Sequence, residues 1–447
     1  MQYTFPKHLY TDVRIEHLFS TEIAYTFREL DECKVRQYSA AFIRVYDGSR
    51  WYYASTSDLD GVQAEIDGLA ALASPNEALE NMQTFRNFSE KTGKTLALVG
   101  QEVSNVPLED KVALLQSLMP QVAENQYIKL WRLAYTDEYK IKEFYNSKGA
   151  NLSWDYQRAG FSIMFQMAHE DRQMRESFQW GKTRFEDLLT YDKEALAAHL
   201  KECEHYLLES VAVEPGTYTA VLSPMVTGVF AHECFGHKSE SDVMIGDEAT
   251  KLEWFLGKQV GSESLTIYDT GQEPGMGFIP YDDEGNPATK TYLIKEGILT
   301  GRLHNAVSAA DLEEPVTGNA RAKNYEYEPI VRMTTTVIDG GTDTFEELIS
   351  GTENGIYVKG ILHGSGLSTF TLAPSLAYYI KDGKIGKPVR ISVVSDSVFE
   401  SLGKIDGIGD DLVFSSFVIG GCGKGDQHPL PVGFGGPHIR IRDMQVQ

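Results

Sequence analysis

The sequence is poor in cysteine and has no long apolar run. Its 447 residues include four widely scattered cysteines, Cys33, Cys203, Cys234 and Cys422. This spacing excludes a disulfide framework and is typical of a reducing compartment. No run approaches the roughly 18 apolar residues that a membrane-spanning helix needs. The sequence therefore predicts neither a disulfide-stapled fold nor a membrane span.

The sequence is also short of positive charge. Lysine and arginine number 41 against 64 aspartates and glutamates, so the formal net charge is −23. Such a balance disfavours unassisted binding to nucleic acid or to an anionic membrane. Residues 1–8 lack a basic segment followed by an apolar one, so we expect no signal peptide. We therefore expect a cytoplasmic protein whose partners are neither nucleic acid nor membrane.

Glycine and aromatic residues, in contrast, are abundant. The 40 glycines, 23 tyrosines and 21 phenylalanines favour β-rich structure. A length of 447 residues suggests more than one domain, and Val-Glu-Pro-Gly at 213–216 is a candidate boundary. We predict an α+β fold. Residues 1–212 form an α+β domain with an antiparallel sheet, and residues 213–447 form a β-rich domain carrying a helix with candidate metal ligands.

Hydrophobic periodicity places elements along the first domain. It predicts, in order, a helix over 15–32, a hairpin over 40–56, helices over 59–73 and 105–122, a meander of four antiparallel strands over 127–170 and a helix over 191–210. We expect Ser57 or Asp58 to cap the helix over 59–73. The second domain reads as many short strands with one helix over 344–350. The first domain contains no recognisable catalytic constellation.

The clearest chemical signal is T-G-V-F-A-H-E-C-F-G-H-K-S-E-S-D, residues 227–242. It contains His232 and His237, with Glu233 directly after the first histidine. Imidazole is the commonest protein ligand of zinc-like ions, and a neighbouring glutamate is the usual general base of a metal-dependent hydrolase. The motif predicts a metal site with Glu233 as the base. The alternative is an amphipathic helix that carries two histidines by chance.

The spacing of the two histidines differs from the familiar H-E-x-x-H. Their separation of five residues places them roughly 140° apart around a regular α-helix. We therefore expect the helix to break or widen between them, either at Gly236 or through a π-bulge, which turns about every five residues. The preceding residues 227–231 are apolar, which predicts a buried helix. Burying these polar groups without a partner such as a metal would be costly.

A catalytic zinc site needs a third protein ligand and one open position. The candidates are Cys422, His363, His428, His438, Glu240 and Asp242. Cys422 lies in a glycine-packed turn where the backbone can approach another group closely, and a thiolate is a strong ligand. A small buried cysteine with a packing role is an equally good interpretation of the residue alone. Glu240 better suits a position from which it orients a ligand imidazole.

Several motifs resemble those of the TldD/PmbA family, known by the older description "modulator of DNA gyrase". Residues 223–242 read S-P-x-x-x-G-V-x-x-H-E-x-x-G-H-x-x-E-x-D. The resemblance continues through Y-D-D-E-G at 281–285, G-N-A-R-A at 318–322, R-M-T-T-T at 332–336 and G-I-Y-V-K-G at 355–360. It ends in C-G-K-G-D-Q-x-x-P-x-P-V-G-F-G-G-P at 422–437, whereas the first half matches only in general pattern.

This resemblance implies a cytoplasmic metallopeptidase that acts on peptides or unfolded segments. It implies that His232, His237 and Cys422 hold one zinc ion, with Glu233 as the base. Because H-E-x-x-x-H is present, the chain resembles the catalytic TldD-like branch, which implies a homodimer or a heterodimer with a PmbA/TldE-like subunit. Thr335 and the segment His363-Gly-Ser-Gly depart from the usual family pattern, which puts the peptide preference in doubt.

Three further residues are expected to assist at the site: Arg332, Lys424 and His428. The main alternative function is a non-catalytic binding or regulatory protein, either a gyrase modulator or a partner subunit. Its weakness is that a vestigial site has no need of Glu233. A purely structural zinc site is disfavoured, because such sites have four ligands and no adjacent free carboxylate.

Overall fold

The computed structural model describes residues 3–366 and 368–447. The helices are α1 Val62–Leu72, α2 Gln83–Asn87, α3 Leu108–Ala123, α4 Phe185–Leu188, α5 Lys193–Glu209, α6 Pro224–Phe230, α7 His237–Ser239, α8 Glu248–Glu253, α9 Ala306–Asp311, α10 Phe345–Ser350 and α11 Val398–Gly403, with a π-helical turn at Ala231–Gly236 and 3₁₀ turns at Leu79–Asn81, Val103–Asn105 and Ser241–Met244. Among the described residues, no helix combines the length and the apolar character needed to cross a membrane.

The four longest strands lie in the first half of the chain. In chain order, the strands are β1 Tyr10–Thr26, β2 Glu29–Tyr46, β3 Trp51–Thr56, β4 Thr92–Thr95, β5 Ile128–Asn146, β6 Asn151–His169, β7 Arg172–Lys182, β8 Val211–Ala212, β9 Gly216–Leu222, β10 Ile267–Thr270, β11 Lys290–Lys295, β12 Ile298–Leu299, β13 Ala320–Arg321, β14 Ile330–Val331, β15 Thr335–Ile338, β16 Asn354–Gly366, β17 Thr369–Lys381, β18 Lys384–Arg390, β19 Val394–Ser397, β20 Ile405–Ile408, β21 Val413–Ser415, β22 Cys422–Lys424, β23 Gln427–Leu430, β24 Gly433–Gly436 and β25 Ile439–Val446.

The first half of the chain forms one large sheet. Its strand order is β3-β2-β1-β5-β6-β4, with β7 also paired to β6. All neighbours are antiparallel except β4, which runs parallel to β6. Helices α3 and α5 pack on this sheet through apolar residues such as Leu115 and Leu200. The α+β fold is confirmed, as are the hairpin over 40–56 and the helices over 59–73, 105–122 and 191–210 in existence, with ends shifted by a few residues.

The helix predicted over 15–32 is wrong, because this segment belongs to β1 and β2. Strand β1 pairs with β2 on one side and with β5 on the other. Most of its side chains are buried on both faces. Burial of both faces removes the alternation of apolar and polar residues by which a strand is recognised. The remaining apolar spacing at Ile15, Leu18 and Ile23 then imitates a helical period.

The meander of four strands is also wrong, because β5 and β6 are two strands of 19 residues each. Only the predicted turn at residues 147–149 exists. Asp137 is not in a turn: it is a buried strand residue that accepts a hydrogen bond from Thr21 N–H at 2.8 Å and pairs with Lys111 at 2.6 Å. Gly160 marks a close approach, since a Cβ there would lie 2.6 Å from Val418 Cγ1.

The expected cap of the first helix is not formed. Helix α1 begins after Gly61, which has no side-chain capping bond, so the cap predicted at Ser57 or Asp58 is wrong. In contrast, the helix predicted over 344–350 is found as α10. Thr344 and Glu347 form a capping box at its start. This box is a local sequence signal and needs no tertiary contact.

The second half of the chain contains two large sheets and two small sheets of two strands each, β13-β14 and β22-β23. Strands β16, β9, β25, β19 and β17 pair in sequence, and β17 pairs again with β16, so the five strands close into a ring. A second sheet has the order β12-β11-β10-β15-β24-β21. Helix α6 lies between them, with Val229 near Gly364 of the ring and Gly228 against Phe434 of the second sheet. The predicted boundary at residue 213 stays a prediction; β8 before it pairs with β18.

Buried ion pairs join the two halves. Arg44 of β2 bonds to Asp12 and to Glu284, and Lys142 of β5 bonds to Asp283. All of these side chains are almost completely buried. The loop 282–284, which belongs to the second half of the chain, is therefore anchored on one face of the large sheet.

Candidate metal centre

The H-E-x-x-x-H motif lies on a helix that widens at the histidines. Ser223 caps α6, accepting a hydrogen bond from Val226 N–H, and Pro224 occupies the first turn. After Phe230 the chain continues as the π-helical turn Ala231–Gly236. A π-turn returns to the same face after about five residues. The rings of His232 and His237 accordingly lie 5.1 Å apart between centroids, and the predicted π-bulge is confirmed.

Gly236 does not break the helix. Its backbone stays helical, with φ −57° and ψ −50°, so the alternative prediction of a break at this residue is wrong. The glycine has a packing role instead. A Cβ at this position would lie 2.0 Å from the sulfur of Met333, which is fully buried against the π-turn.

A hairpin from the end of the chain brings Cys422 to the two histidines. Strands β22 and β23 form this hairpin, and the Cys422 Sγ lies 3.5 Å from His237 Nε2. Donor atoms of His232, His237 and Cys422 all lie within 4.8 Å of one another. Arg332, which is fully buried, donates hydrogen bonds to the carbonyl oxygens of Cys422 at 2.8 Å and Gln427 at 3.1 Å. It thereby holds both strands of the hairpin.

The charges of these side chains favour a thiolate beside imidazolium. Burial alone would raise the pKa of the Cys422 thiol, but the imidazoles of His232 and His237 lower it to about 4. Burial likewise opposes the charged form of His237, yet Cys422 and Glu240 together raise its pKa to about 10. The thiolate form is the one that binds metal ions.

A chain of charged groups orients His237. Its Nδ1 lies 3.3 Å from Glu240 Oε2, which leaves Nε2 facing Cys422. Lys424 contacts Glu240 at 3.1 Å and Asp242 at 2.6 Å. Burial opposes ionisation of Glu240, but His237 and Lys424 outweigh it and lower the pKa of Glu240. A carboxylate behind a ligand imidazole is the usual arrangement in metal sites.

Glu233 lies beside the three donor side chains without belonging to the cluster. Its Oε2 is 3.9 Å from His237 Nε2. Burial raises the pKa of Glu233, and the two histidines offset part of that effect. Strand β16 covers it closely: a Cβ on Gly364 would lie 2.9 Å from Glu233 Cγ.

The other candidates for the third ligand lie outside the cluster. His363 is exposed on β16, and His428 is exposed on the Cys422 hairpin, against Gly423. His438 bonds to Asp411 at 2.6 Å and to Tyr357 at 3.1 Å. Asp242 is engaged with Lys424, and Glu240 with His237, as described above. Of the six candidates, the structure therefore places only Cys422 in the cluster with His232 and His237.

A hydrogen-bond network of Ser241, His304 and Glu314, which was not predicted from the sequence, lies behind the candidate metal centre. Ser241 Oγ donates to the Leu303 carbonyl at 2.6 Å and lies 2.9 Å from His304 Nδ1. His304 Nε2 lies 2.9 Å from Glu314, and His304 is buried. This network fixes the backbone directly after Glu240. Ser241 and His304 are 63 residues apart in sequence, so only the fold brings them together.

The residues present fit a bound zinc-like ion. Two imidazoles and a thiolate are the nitrogen and sulfur donors that zinc prefers, and three protein ligands leave one position open. His232 is buried, and its Nδ1 has no hydrogen-bond partner among the described residues. A buried polar atom without a partner is costly, and a metal on this imidazole would offset that cost. The fold and the site together define the class of metal-dependent hydrolases.

Comparison with known families agrees with this class. Residues 215–447 match the PmbA/TldA metallopeptidase C-terminal domain, residues 101–208 match the central domain and residues 11–74 match domain 1. The chain therefore belongs to the PmbA/TldD family of metallopeptidases, and the resemblance seen in its motifs is confirmed.

Individual relatives span the whole chain or most of it. A metalloprotease of Synechocystis sp. is 31% identical, over 98% of this chain and 94% of its own. A protein of Saccharolobus solfataricus described as a zinc metalloprotease TldD homolog is 30% identical, over 78% of each chain. The crystal structure of TldE from Thermococcus kodakarensis superposes with a TM-score of 0.77 at 16% identity, over 98% of this chain and 96% of its own. At that identity the last likeness concerns the fold alone.

Proposed function

We propose that this protein is a zinc-dependent peptidase that hydrolyses peptides or unfolded protein segments. Zinc would be held by His232, His237 and Cys422, with Glu233 as the general base. The observation that carries the proposal is the convergence of these three side chains, whose donor atoms lie within 4.8 Å of one another. The description of the Saccharolobus relative supports zinc as the metal.

The chemistry divides between the metal and the protein. A bound zinc ion supplies Lewis acidity, which lowers the pKa of water and polarises a carbonyl. Glu233 accepts the proton of the attacking water and returns it to the leaving amine. Burial raises the pKa of Glu233. A carboxyl group with a raised pKa is better suited both to accept and to donate a proton.

The surrounding residues would keep the ligands in place. Glu240 orients His237, and Lys424 pairs with both Glu240 and Asp242. Arg332 holds the backbone of the Cys422 hairpin. His428 is exposed on this hairpin, where a bound substrate or a partner can reach it. We assign Glu240, Arg332 and Lys424 positioning roles.

Substrate would bind in extended form along β16. This strand pairs with β9 only as far as Val358, and no other strand of the described residues pairs with the same edge from residue 360 to 366. Glu233 lies against Gly364 on this segment. Pairing with a free strand edge gives affinity through backbone hydrogen bonds and depends little on side chains. Such binding suits peptides and unfolded segments.

We also propose a cytoplasmic enzyme that works as a dimer, either with itself or with a PmbA/TldE-like subunit. The fold likeness to TldE supports a partner of related structure. The negative net charge of −23 is consistent with neither nucleic acid nor an anionic membrane as a partner.

The alternative is a non-catalytic protein that regulates gyrase or serves as a partner subunit. The fold likeness to TldE is in its favour. It leaves Glu233 without a purpose, because neither metal retention nor packing needs a half-buried carboxylate beside the donors. Glu233 therefore discriminates between the two functions.

Metal analysis tests the ligand set. Protein purified without added metal should contain about one zinc per chain, and Cys422→Ala should lose most of it because a site with two protein ligands binds weakly. Cys234→Ala is the matched control, since Cys234 is a buried motif cysteine outside the cluster. Loss of metal in both variants, or a metal-free wild type after zinc has been supplied, would contradict the proposal.

A further inference from the structure

A pocket lies beside residues 359–361 of β16, where the unpaired edge of this strand begins. It has a volume of about 600 Å³ and is bounded by β7, by residues 359–361 of β16 and by residues 413–417. Met225, the second residue of α6, also lines the pocket. The pocket therefore adjoins the segment along which substrate is proposed to bind.

The distance from this pocket to the candidate metal centre follows from residues on β16 and on the motif helix. Gly360 in the pocket and Gly364 against Glu233 are four residues apart on one strand, or about 13 Å. Met225 in the pocket and His232 are seven residues apart on one helix, or about 10 Å. Phe417 lines the pocket and contacts Phe434, which contacts His232. An extended peptide covers this distance with about three to four residues.

Several side chains in the walls of the pocket are apolar. They include Trp180, Ile361, Leu376, Phe414 and Phe417. Such walls suit the aliphatic stem of a long side chain.

One buried acid, Glu176, lies among these walls. It is only 9% exposed. One of its carboxylate oxygens accepts a hydrogen bond from Ser177 N–H at 2.8 Å. The other has the Ser375 hydroxyl nearby but no hydrogen bond of good geometry among the described residues. Burial raises the pKa of Glu176 to about 7. A buried carboxylate is costly unless a cation pairs with it.

The cations that lie near Glu176 are already engaged. Lys359 pairs with both oxygens of Glu202, at 2.6 and 2.7 Å. Lys182 lies over the ring of Trp180, at 4.4 Å from its centroid. Among the described residues, no lysine or arginine lies within ion-pair distance of Glu176. Glu176 therefore has no counter-charge within the part of the chain that the structure describes.

We propose that this pocket binds a lysine or arginine side chain of the substrate, with Glu176 as its counter-charge. The proposal rests on the proposed peptidase function, because it places the basic residue about three to four positions from the cleaved bond. The backbone edge of β16 would then give general affinity, and the pocket would add a preference for basic residues at one position. An uncharged apolar side chain is the competing occupant.

A peptide series tests the preference. One scaffold peptide carries lysine in turn at each of the four positions on either side of the cleaved bond, and a matched set carries norleucine, which has a similar length and no charge. In the wild type we expect kcat/KM to favour lysine by about tenfold or more at one position, three or four residues from the bond. In Glu176→Gln this ratio should fall to about one. An equal ratio in both proteins would overturn the proposal.

Control variants separate the buried acid from general negative charge. Glu273→Gln removes a charge from a half-buried residue that also lines the pocket, and it should keep the lysine preference. If Glu273→Gln lost the preference and Glu176→Gln kept it, the assignment to Glu176 would be wrong. Circular dichroism of each variant checks that it is folded.

A binding measurement separates this proposal from the proposed function. Calorimetry with Glu233→Gln compares the lysine and norleucine peptides without cleavage. Tighter binding of the lysine peptide by about tenfold, lost in the Glu176→Gln/Glu233→Gln double variant, supports the pocket even if the wild type cleaves nothing. Equal binding of the two peptides overturns the pocket proposal, even if the wild type cleaves both.

Discussion

Glu233 shows how one residue can belong to a site without contributing to its assembly. Its carboxylate lies 3.9 Å from the nearest ring nitrogen of His237, outside hydrogen-bond distance, while His232, His237 and Cys422 converge on one another. Its pKa is raised by burial. These features suit a residue that handles a proton rather than one that holds an ion.

Glu233→Gln should therefore separate metal retention from catalysis. We expect the variant to retain its zinc and its fold, because the amide keeps the size of the side chain and the three donors are untouched. Peptide cleavage should fall by about 10²–10⁴-fold, which is the usual contribution of a general base. The measurement is kcat on one peptide together with elemental analysis of the same sample. Activity equal to that of the wild type would exclude Glu233 as the base.

At the scale of the element, the π-turn places two histidines that are five residues apart on the same face of the helix. On a regular α-helix, a spacing of four residues has this effect. The π-turn depends on tight packing as well as on backbone geometry. Met333 lies directly against Gly236, and Phe235 packs on Trp254 with ring centroids 4.9 Å apart. Any side chain at Gly236 would have to displace Met333 from a fully buried position.

Gly236→Ala is expected to destabilise the turn and weaken metal binding. The added Cβ would lie 2.0 Å from Met333 Sδ, and overpacking of this kind costs about 1–3 kcal/mol. Urea unfolding and zinc titration of the variant measure both effects. Met333→Ala in the same chain should restore part of the metal affinity, because it removes the clash.

Gly68→Ala is the matched control for this substitution. Gly68 lies on the exposed face of α1, and a Cβ there would meet nothing within 4 Å. Alanine is favoured over glycine inside a helix by about 0.5–1 kcal/mol, so this variant should be slightly more stable than the wild type. If Gly236→Ala behaved like Gly68→Ala, the packing argument would fail.

At the scale of the whole molecule, buried ion pairs connect the large sheet to the second half of the chain. Asp283 bonds to Lys142, its second oxygen lies 3.8 Å from Arg14, and all three side chains are nearly inaccessible to solvent. Burial opposes ionisation of Asp283, but Lys142 and Arg14 outweigh it and hold the pKa of Asp283 well below its ordinary value.

Asp283→Asn should destabilise the protein at neutral pH and lose this effect in acid. Removing one partner of a buried pair costs about 3–5 kcal/mol, because the remaining charge is left uncompensated. A depressed pKa contributes stability above the unfolded value of about 3.9, and this contribution is lost as the pH falls towards the folded value. The difference between wild type and variant should therefore be full at pH 7 and shrink as the pH falls below about 4.

The matched control for that experiment is Asp406→Asn. Asp406 also pairs with two cations, Arg440 and Arg442, but it is 37% exposed. Exposed pairs contribute about 0–1 kcal/mol, so its effect should be small at every pH. Unfolding midpoints of the three proteins between pH 3 and 7 measure the difference. A pH-independent effect of Asp283→Asn would contradict the role of its charge.

The sequence alone determined what depends on neighbours along the chain. The helix α10, the hairpin over 40–56, the amphipathic α1, α3 and α5, and the widening of the motif helix were all predicted, because turn signals and helical period are local properties. The identity of the family followed from motifs in the same way, since motifs are linear patterns.

Tertiary structure decided the features that depend on contacts between distant residues. The apolar spacing of β1 predicts a helix, but the segment is a strand because it pairs with β2 and β5, which buries both of its faces. Cys422 was one of several candidates until the hairpin held by Arg332 brought it to His237, 185 residues earlier in the chain. Glu176 is an ordinary glutamate in the sequence, and it becomes an acid without a counter-charge only where β7, β16 and α6 enclose it. Burial and proximity are properties of the folded chain, and no local pattern encodes them.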